Sequence, residues 1–318
     1  MPLTTEEEGI GYLAGAWLGG QRGALLVQSS GAGNCINTLA LNATTRIPLL
    51  MLVTMRGDWA EFNPWQNPMG QATERALNLM GVITSRADIP EDVVPLLHGA
   101  ASMAFNGGAA CALLLGQRLI REKKAEMMTN ELNDRRAAAA RLLIDRENLP
   151  VITGLGSPTY DVMAAGDHDN NFYLWAAMGS AATVGLGIQP DRSVLVVTGD
   201  GEMMMALGAL ATIAVAKPAN LTIAVIDNGL FDETGLQVSH TGYGVEIAKV
   251  AERPGFAWTN TIRSLEGVDH LCKRLGQHDG PCLATIKVEG GNPPYTLPSR
   301  DGVHIKNRCR AALGYTTT

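Results

Sequence analysis

Residues 193–229 read SVLVVTGDGEMMMALGALATIAVAKPANLTIAVIDNG, and how this stretch folds decides the architecture of the chain. Residues 193–198 read as a buried parallel strand, residues 203–216 as a helix packed on it, and residues 221–226 as the next strand. Strand, helix and strand form one βαβ unit with a right-handed crossover. Asp200 and Asn228 then each close a strand at the carboxyl edge of one sheet, the edge where doubly wound folds bind ligands. Two oxygen ligands a strand spacing apart suit a hard cation. The glycines admit a phosphate to a helix start, where the backbone N–H groups of Gly201 and Glu202 face it. A Gly-Asp turn before a helix is ordinary on its own. The Asn 28 positions after the Asp, at the matching strand end, makes the pair a site for a cation-held diphosphate. Rival phosphate motifs fit badly: no G-x-x-x-x-G-K-[ST] exists, and Gly185-Leu186-Gly187 and Gly154-Leu155-Gly156 lack the third glycine of the dinucleotide fingerprint.

Outward from this unit, the chain reads as α/β in two halves alike in element order. The first, 1–117, has a helix near 7–18, strands at 24–28, 48–54 and 109–115, a helix after Gly33 and another over 91–106. Residues 118–133 read as a charged, solvated linker. The second half, 134–318, adds strands at 150–153 and 282–288 to the two already named, with glycine-rich turns at the strand ends. Two doubly wound parallel-sheet domains are the expected fold.

The bulk composition excludes several function classes. With 318 residues, 46% hydrophobic and 18% charged, the chain is long enough for two cores. Its net charge of −6 and lack of a Lys/Arg stripe argue against a nucleic-acid surface. Five scattered cysteines without a Cys-x-x-Cys pair point to a reducing compartment and away from an iron–sulfur or structural zinc site. Residues 203–216, the longest apolar stretch, fall short of the roughly 20 residues that a membrane span needs. Nothing at the N-terminus resembles a signal peptide, so a cytoplasmic location with no membrane partner is expected.

Gly199-Asp200-Gly201-Glu202 with Asn228 is similar to the metal–diphosphate motif of thiamine-diphosphate (ThDP) enzymes. Over nearly its whole length the chain resembles their sulfopyruvate/phosphonopyruvate decarboxylase group. The stretches that carry this are 5–11 (TEEEGIG) with 14–16 (AGA), 28–34 (QSSGAGN), 55–58 (MRGD) and 66–73 (QNPMGQAT). The second half adds 177–180 (AMGS), 233–237 (ETGLQ), 300–303 (RDGV) and 306–308 (KNR). The Gln-x-Pro-Met-Gly element resembles the sulfopyruvate enzymes in particular, since phosphonopyruvate relatives more often have a His where Gln66 stands.

The resemblance implies a pyrimidine-binding (PYR) domain over 1–117, a diphosphate-binding (PP) domain over 134–318 and no central third domain. It implies ThDP and Mg²⁺ as cofactors and a homodimer or homotetramer with active sites between subunits. The favoured reaction is 3-sulfopyruvate to sulfoacetaldehyde plus CO₂. The alternatives are phosphonopyruvate decarboxylation, or a non-catalytic ThDP-binding subunit that needs a partner chain. In such enzymes the cofactor is the electron sink for decarboxylation. Glu6, nine residues before Gly15, takes the place of the carboxylate that activates the aminopyrimidine. Met178 takes that of the wedge that bends the cofactor, and Ala176 offers the carbonyl that accepts from its amino group. Leu230 supplies a carbonyl as third protein ligand to the metal beside Asp200 and Asn228, and Ser157 touches cofactor. Arg56, Gln66 and Asn34 line the substrate crevice, His240 protonates the product carbon, and Lys306 and Arg308 belong to a C-terminal flap. Only five residues precede Glu6, so the PYR domain is expected to lack its first βα unit, or to have its sheet completed by another polypeptide.

Overall fold

Successive residues of a strand point to opposite faces, so a run apolar at nearly every position needs cover on both sides. Val194–Gly199 is such a run. In the computed structural model, which describes residues 1–119, 134–146, 148–188, 192–291 and 293–316, it is a central strand of a fully parallel sheet. Val194 and Val196 join one apolar core with Ile223, Val225 and Leu283, while Leu195 and Val197 join a second with Ala224, Ile226, Ala284 and Ile286.

The chain divides into two compact units, Leu3–Lys123 and Lys124–Thr318. In the first, β1 (Leu25–Gln28), β2 (Leu49–Thr54), β3 (Ile83–Ala87) and β4 (Ala110–Leu115) form a parallel sheet in the order β1-β2-β4-β3. Leu25, Val27, Met51, Val53 and Leu114 pack on one side with Ile10 of the helix Glu6–Leu18 and Leu77 of the helix Asn67–Leu79. On the other side Leu50 and Cys111 meet Ala100 and Ala104 of the helix Pro90–Gly107.

The second unit has β5 (Val151–Thr153), β6 (Asn171–Tyr173), β7 (Val194–Gly199), β8 (Leu221–Asp227), β11 (Trp258–Ile262) and β12 (Cys282–Lys287), in the order β11-β12-β8-β7-β5-β6. A two-stranded antiparallel ribbon, β9 (Leu230–Phe231) with β10 (Gln237–Val238), follows β8 directly. β3, β6 and β11 are not evident in the sequence because all three are sheet edges, short and half polar, without a continuous apolar run.

The expected helix over 203–216 is two helices, Asp200–Met205 and Leu207–Ala216, parted at Ala206 (φ −111°, ψ 31°). The expected linker falls largely on residues outside those described. Among the described residues no helix is long and apolar enough to cross a membrane.

Candidate active site

β7 and β8 are adjacent and parallel, with Gly199 opposite Ile226, so Asp200 and Asn228 emerge from neighbouring strand ends. Asp200 is the first residue of its helix and 3% exposed. Its Oδ2 accepts from Ser239 Oγ and, at 2.7 Å, from Thr241 Oγ1. The Thr241 hydroxyl also lies 2.7 Å from Asp227 Oδ1, and one proton cannot serve both carboxylates. Asp227 is compensated by Lys287, whose Nζ is 2.5 Å from Oδ2, and by the N–H of Gly229. Asp200 has no cationic partner among the described residues. Burial, and then the charge of Asp227, hold its carboxyl above the usual carboxylate range. A carboxylate buried in this way calls for a cation or a proton.

Asn228 is fixed from the other side. Its Nδ2 donates to Asp232 Oδ2 at 2.6 Å, and its Oδ1 accepts from Leu230 N at 3.0 Å. Asp232 is held in turn by Arg135, whose Nη1 lies 2.5 Å from Asp232 Oδ2 and 3.0 Å from the Gly291 carbonyl. The guanidinium also reaches Asp161 through Nε at 2.7 Å. Arg135 is buried, and burial pushes the Asp161 and Asp232 carboxyls up while Arg135 opposes it. With the amide nitrogen on Asp232 and one oxygen lone pair on Leu230 N, the second lone pair of the Asn228 oxygen is left to face a ligand. Replacing Asp232 by Ala is expected to free that amide to flip and weaken divalent-cation affinity about 10- to 100-fold. Mn²⁺ titration followed by electron paramagnetic resonance checks this, and an unchanged affinity would refute the orienting role.

The ribbon β9–β10 explains how one loop serves both Asp200 and Asn228. It begins at Leu230, and Ser239 N donates to the Gly229 carbonyl at 2.8 Å as the chain returns. Ser239 and Thr241 are thereby brought back onto Asp200. Neither was evident in the sequence. The only signal was two hydroxyl residues flanking His240, in the loop already taken to carry a functional residue. His240 is half-buried, and its Nδ1 has no hydrogen-bond partner among the described residues.

Ser157 opens the helix Ser157–Ala165 and donates to Glu233 Oε1 at 3.2 Å. Gly156, at φ 85°, would bring a Cβ within 2.9 Å of Glu233 Cγ, so glycine is needed there. Met178 is half-buried and sits in a left-handed stretch: Ala176, Ala177 and Gly179 have φ of 65°, 51° and 86°. For the two alanines this costs on the order of 1–3 kcal/mol each, and such strain persists only where its surroundings impose it. The Glu202 carboxylate accepts from Thr198 Oγ1 at 2.9 Å and Gly179 N at 3.2 Å, and burial pushes it up to about 7.

In the first unit, Glu6 is the first residue of its helix and half-buried. Asn34 Nδ2 donates to Glu6 Oε2 at 2.8 Å, so the amide expected in the substrate crevice lies beside that carboxylate. The Arg56 fork is met by Glu61: Nε–Oε2 is 2.8 Å and Nη2–Oε1 is 2.7 Å. With further donors in Asn63 N, Gly57 N and Gln117 Nε2, Glu61 is well satisfied, and Arg56 chiefly draws its carboxyl down to about 2. Asp58, two residues after Arg56, pairs with Arg86 at 2.6 Å. Gln66 Nε2 meets Gln28 Oε1 at 3.2 Å.

Arg308, expected in a C-terminal flap, has partners of its own. It lies in the helix Gly302–Ala312 and pairs with Asp167 at 2.7 Å, over the ring of Tyr173.

Residues 159–286 match the family described as thiamine pyrophosphate enzyme, C-terminal TPP binding domain. Phosphonopyruvate decarboxylase of Streptomyces viridochromogenes is 33% identical, over 92% of this chain and 79% of that one. The enzyme of the same name from Streptomyces hygroscopicus is 32% identical, over 92% and 78%. Sulfopyruvate decarboxylase of Methanosarcina acetivorans is 30% identical, over 84% and 76%. The chain belongs to the ThDP-dependent phosphonopyruvate/sulfopyruvate decarboxylase family. It is a carbon–carbon lyase that decarboxylates a 2-oxo acid with ThDP.

The second unit of this decarboxylase fits a cation-anchored diphosphate. An uncompensated buried carboxylate and an oriented amide oxygen at neighbouring strand ends are the kind of oxygen donors that a hard cation takes. At Gly201 a Cβ would sit 2.6 Å from the Phe231 ring, so only glycine keeps the helix start clear there.

Proposed function

We propose that this decarboxylase acts on 3-sulfopyruvate, releasing CO₂ and sulfoacetaldehyde, with Mg²⁺ as the cation held by Asp200, Asn228 and the Leu230 carbonyl. The observation that carries the substrate reading is the Arg56–Glu61 pair. With that guanidinium neutralised, the other groups assigned to substrate, Gln66 and Asn34, are uncharged amides. A singly charged sulfonate costs less to hold among such groups than a phosphonate that carries up to two charges. ThDP supplies the electron sink when bound. Glu6 holds the proton exchanged with its aminopyrimidine, Met178 and the Ala176 carbonyl fix its shape, and Ser157 lies beside the diphosphate turn.

Replacing the lost carboxylate by hydrogen consumes one proton. His240, on the loop that also orients Asp200, is the assigned donor. Activity from subunits paired as a homodimer or homotetramer, in the cytoplasm, belongs to the same reading; the five free cysteines agree with a reducing compartment.

A second reading, phosphonopyruvate as substrate, is favoured by the names of the two Streptomyces relatives. Turnover of both acids, with and without ThDP and EDTA, decides. Sulfopyruvate is expected to have at least a roughly tenfold higher kcat/KM, about 1.4 kcal/mol of transition-state preference. EDTA is expected to abolish activity and Mg²⁺ to restore it. Faster turnover of phosphonopyruvate would overturn the substrate assignment.

A further inference from the structure

The Glu202 side chain does something its place in the diphosphate motif does not require. Its backbone stands at the helix start beside Asp200, yet its carboxylate is hydrogen-bonded to groups from two separate segments and packed against a third. Oε2 accepts from Thr198 Oγ1 at the end of β7, and Oε1 accepts from the N–H of Gly179, immediately after Met178. The turn after β5 also lies against it. The fit against that turn is close: a Cβ on Gly154 would lie 1.8 Å from Glu202 Oε2. The segment held through Gly179 is the one whose two alanines adopt positive φ, a conformation that must be imposed from outside. Glu202 provides a fixed acceptor at its end.

We propose that Glu202 is a positioning residue that locks the Met178 wedge to the metal-binding helix, so that the wedge is held in register with a diphosphate seated independently of it. This rests on the reading of Met178 as the side chain beneath the cofactor. Loss of the clamp should disturb activation of bound ThDP far more than its affinity, because the cation ligands stay in place while the wedge shifts. A displacement of about 1 Å at such a position costs on the order of 10²-fold in rate.

The test uses Glu202→Ala and Glu202→Gln in the full chain loaded with ThDP and Mg²⁺. It reads ThDP affinity by calorimetry, C2-proton exchange of bound ThDP by NMR, and hydrogen exchange of the Gly179 segment without cofactor. In Glu202→Ala, C2 exchange is expected to fall about 10²-fold with affinity changed less than about tenfold, and the Gly179 segment to lose protection. Gln keeps one oxygen for Gly179 N and should restore most of the exchange rate. If Glu202→Ala does not fold, Gly154→Ala displaces the carboxylate without removing it and should give the same split. Unchanged C2 exchange, or exchange and affinity lost in equal proportion, would overturn the proposal. Met178→Ala separates the two readings. If it slows C2 exchange and the Glu202 variants do not, only the clamp falls; if it leaves exchange unchanged, the wedge reading and the clamp fall together.

Discussion

Asp200→Asn is expected to abolish Mg²⁺-dependent retention of ThDP while leaving the cofactor-free protein at least as stable as the parent. The two halves of that expectation come from the same observation. Asp200 is 3% exposed, sits beside Asp227, and has two hydroxyl donors but no cationic partner among the described residues. Without a bound cation that arrangement is unfavourable, since an isolated buried charge is costly and a neutral isostere relieves it. With a cation the sign reverses, because the carboxylate is the only charged protein group in the proposed ligand set. Saturating cofactor at about a hundred times its dissociation constant stabilises a protein by about 2.7 kcal/mol. For Asp200→Asn most of that thermal shift should vanish, and turnover should fall by at least about 10²-fold. Differential scanning calorimetry with and without ThDP and Mg²⁺ reads both effects. A variant that is destabilised without cofactor yet still shifted by it would mean that Asp200 is a structural carboxylate and that the cation is held elsewhere.

How much of this was legible in the sequence follows from where the information is stored. β7 and β8 are central strands, apolar on both faces, and their runs announce themselves; the residues at their ends were therefore placed correctly on adjacent strands. The motif spacing pointed to Asp200 and Asn228, because a pair of residues at neighbouring strand ends leaves a trace in chain distance. The groups that orient the pair leave none. Arg135 reaches Asp232 from 97 positions away, and Thr241 reaches Asp200 from 41. Both bonds exist only once the fold has closed. Arg56 shows the converse case. An arginine just past a strand end looks like an anion receptor, but Glu61, five residues on, accepts two bonds from its fork. Glu61 belongs to none of the motif stretches that drew attention to Arg56.

Glu6→Gln is expected to lower turnover by about 10²–10⁴-fold, the usual worth of a positioned acid/base group, with the fold intact. The amide keeps an oxygen for the Asn34 Nδ2 bond and fills the same volume, so what is lost is the exchangeable carboxyl proton. Position can be separated from chemistry because Gly31 lies directly against the carboxylate: a Cβ there would come within 2.3 Å of Glu6 Oε1. Gly31→Ala retains the acid but must push it off its seat, or shift the segment around Gly31. If Glu6 works by placement as well as by ionisation, Gly31→Ala should also lose on the order of 10²-fold in kcat, with ThDP affinity little altered. Steady-state rates with C2-proton exchange on both variants decide. A Glu6→Gln protein within about threefold of the parent in both measurements would remove Glu6 from the chemistry and leave it as a helix-starting carboxylate stabilised by the dipole.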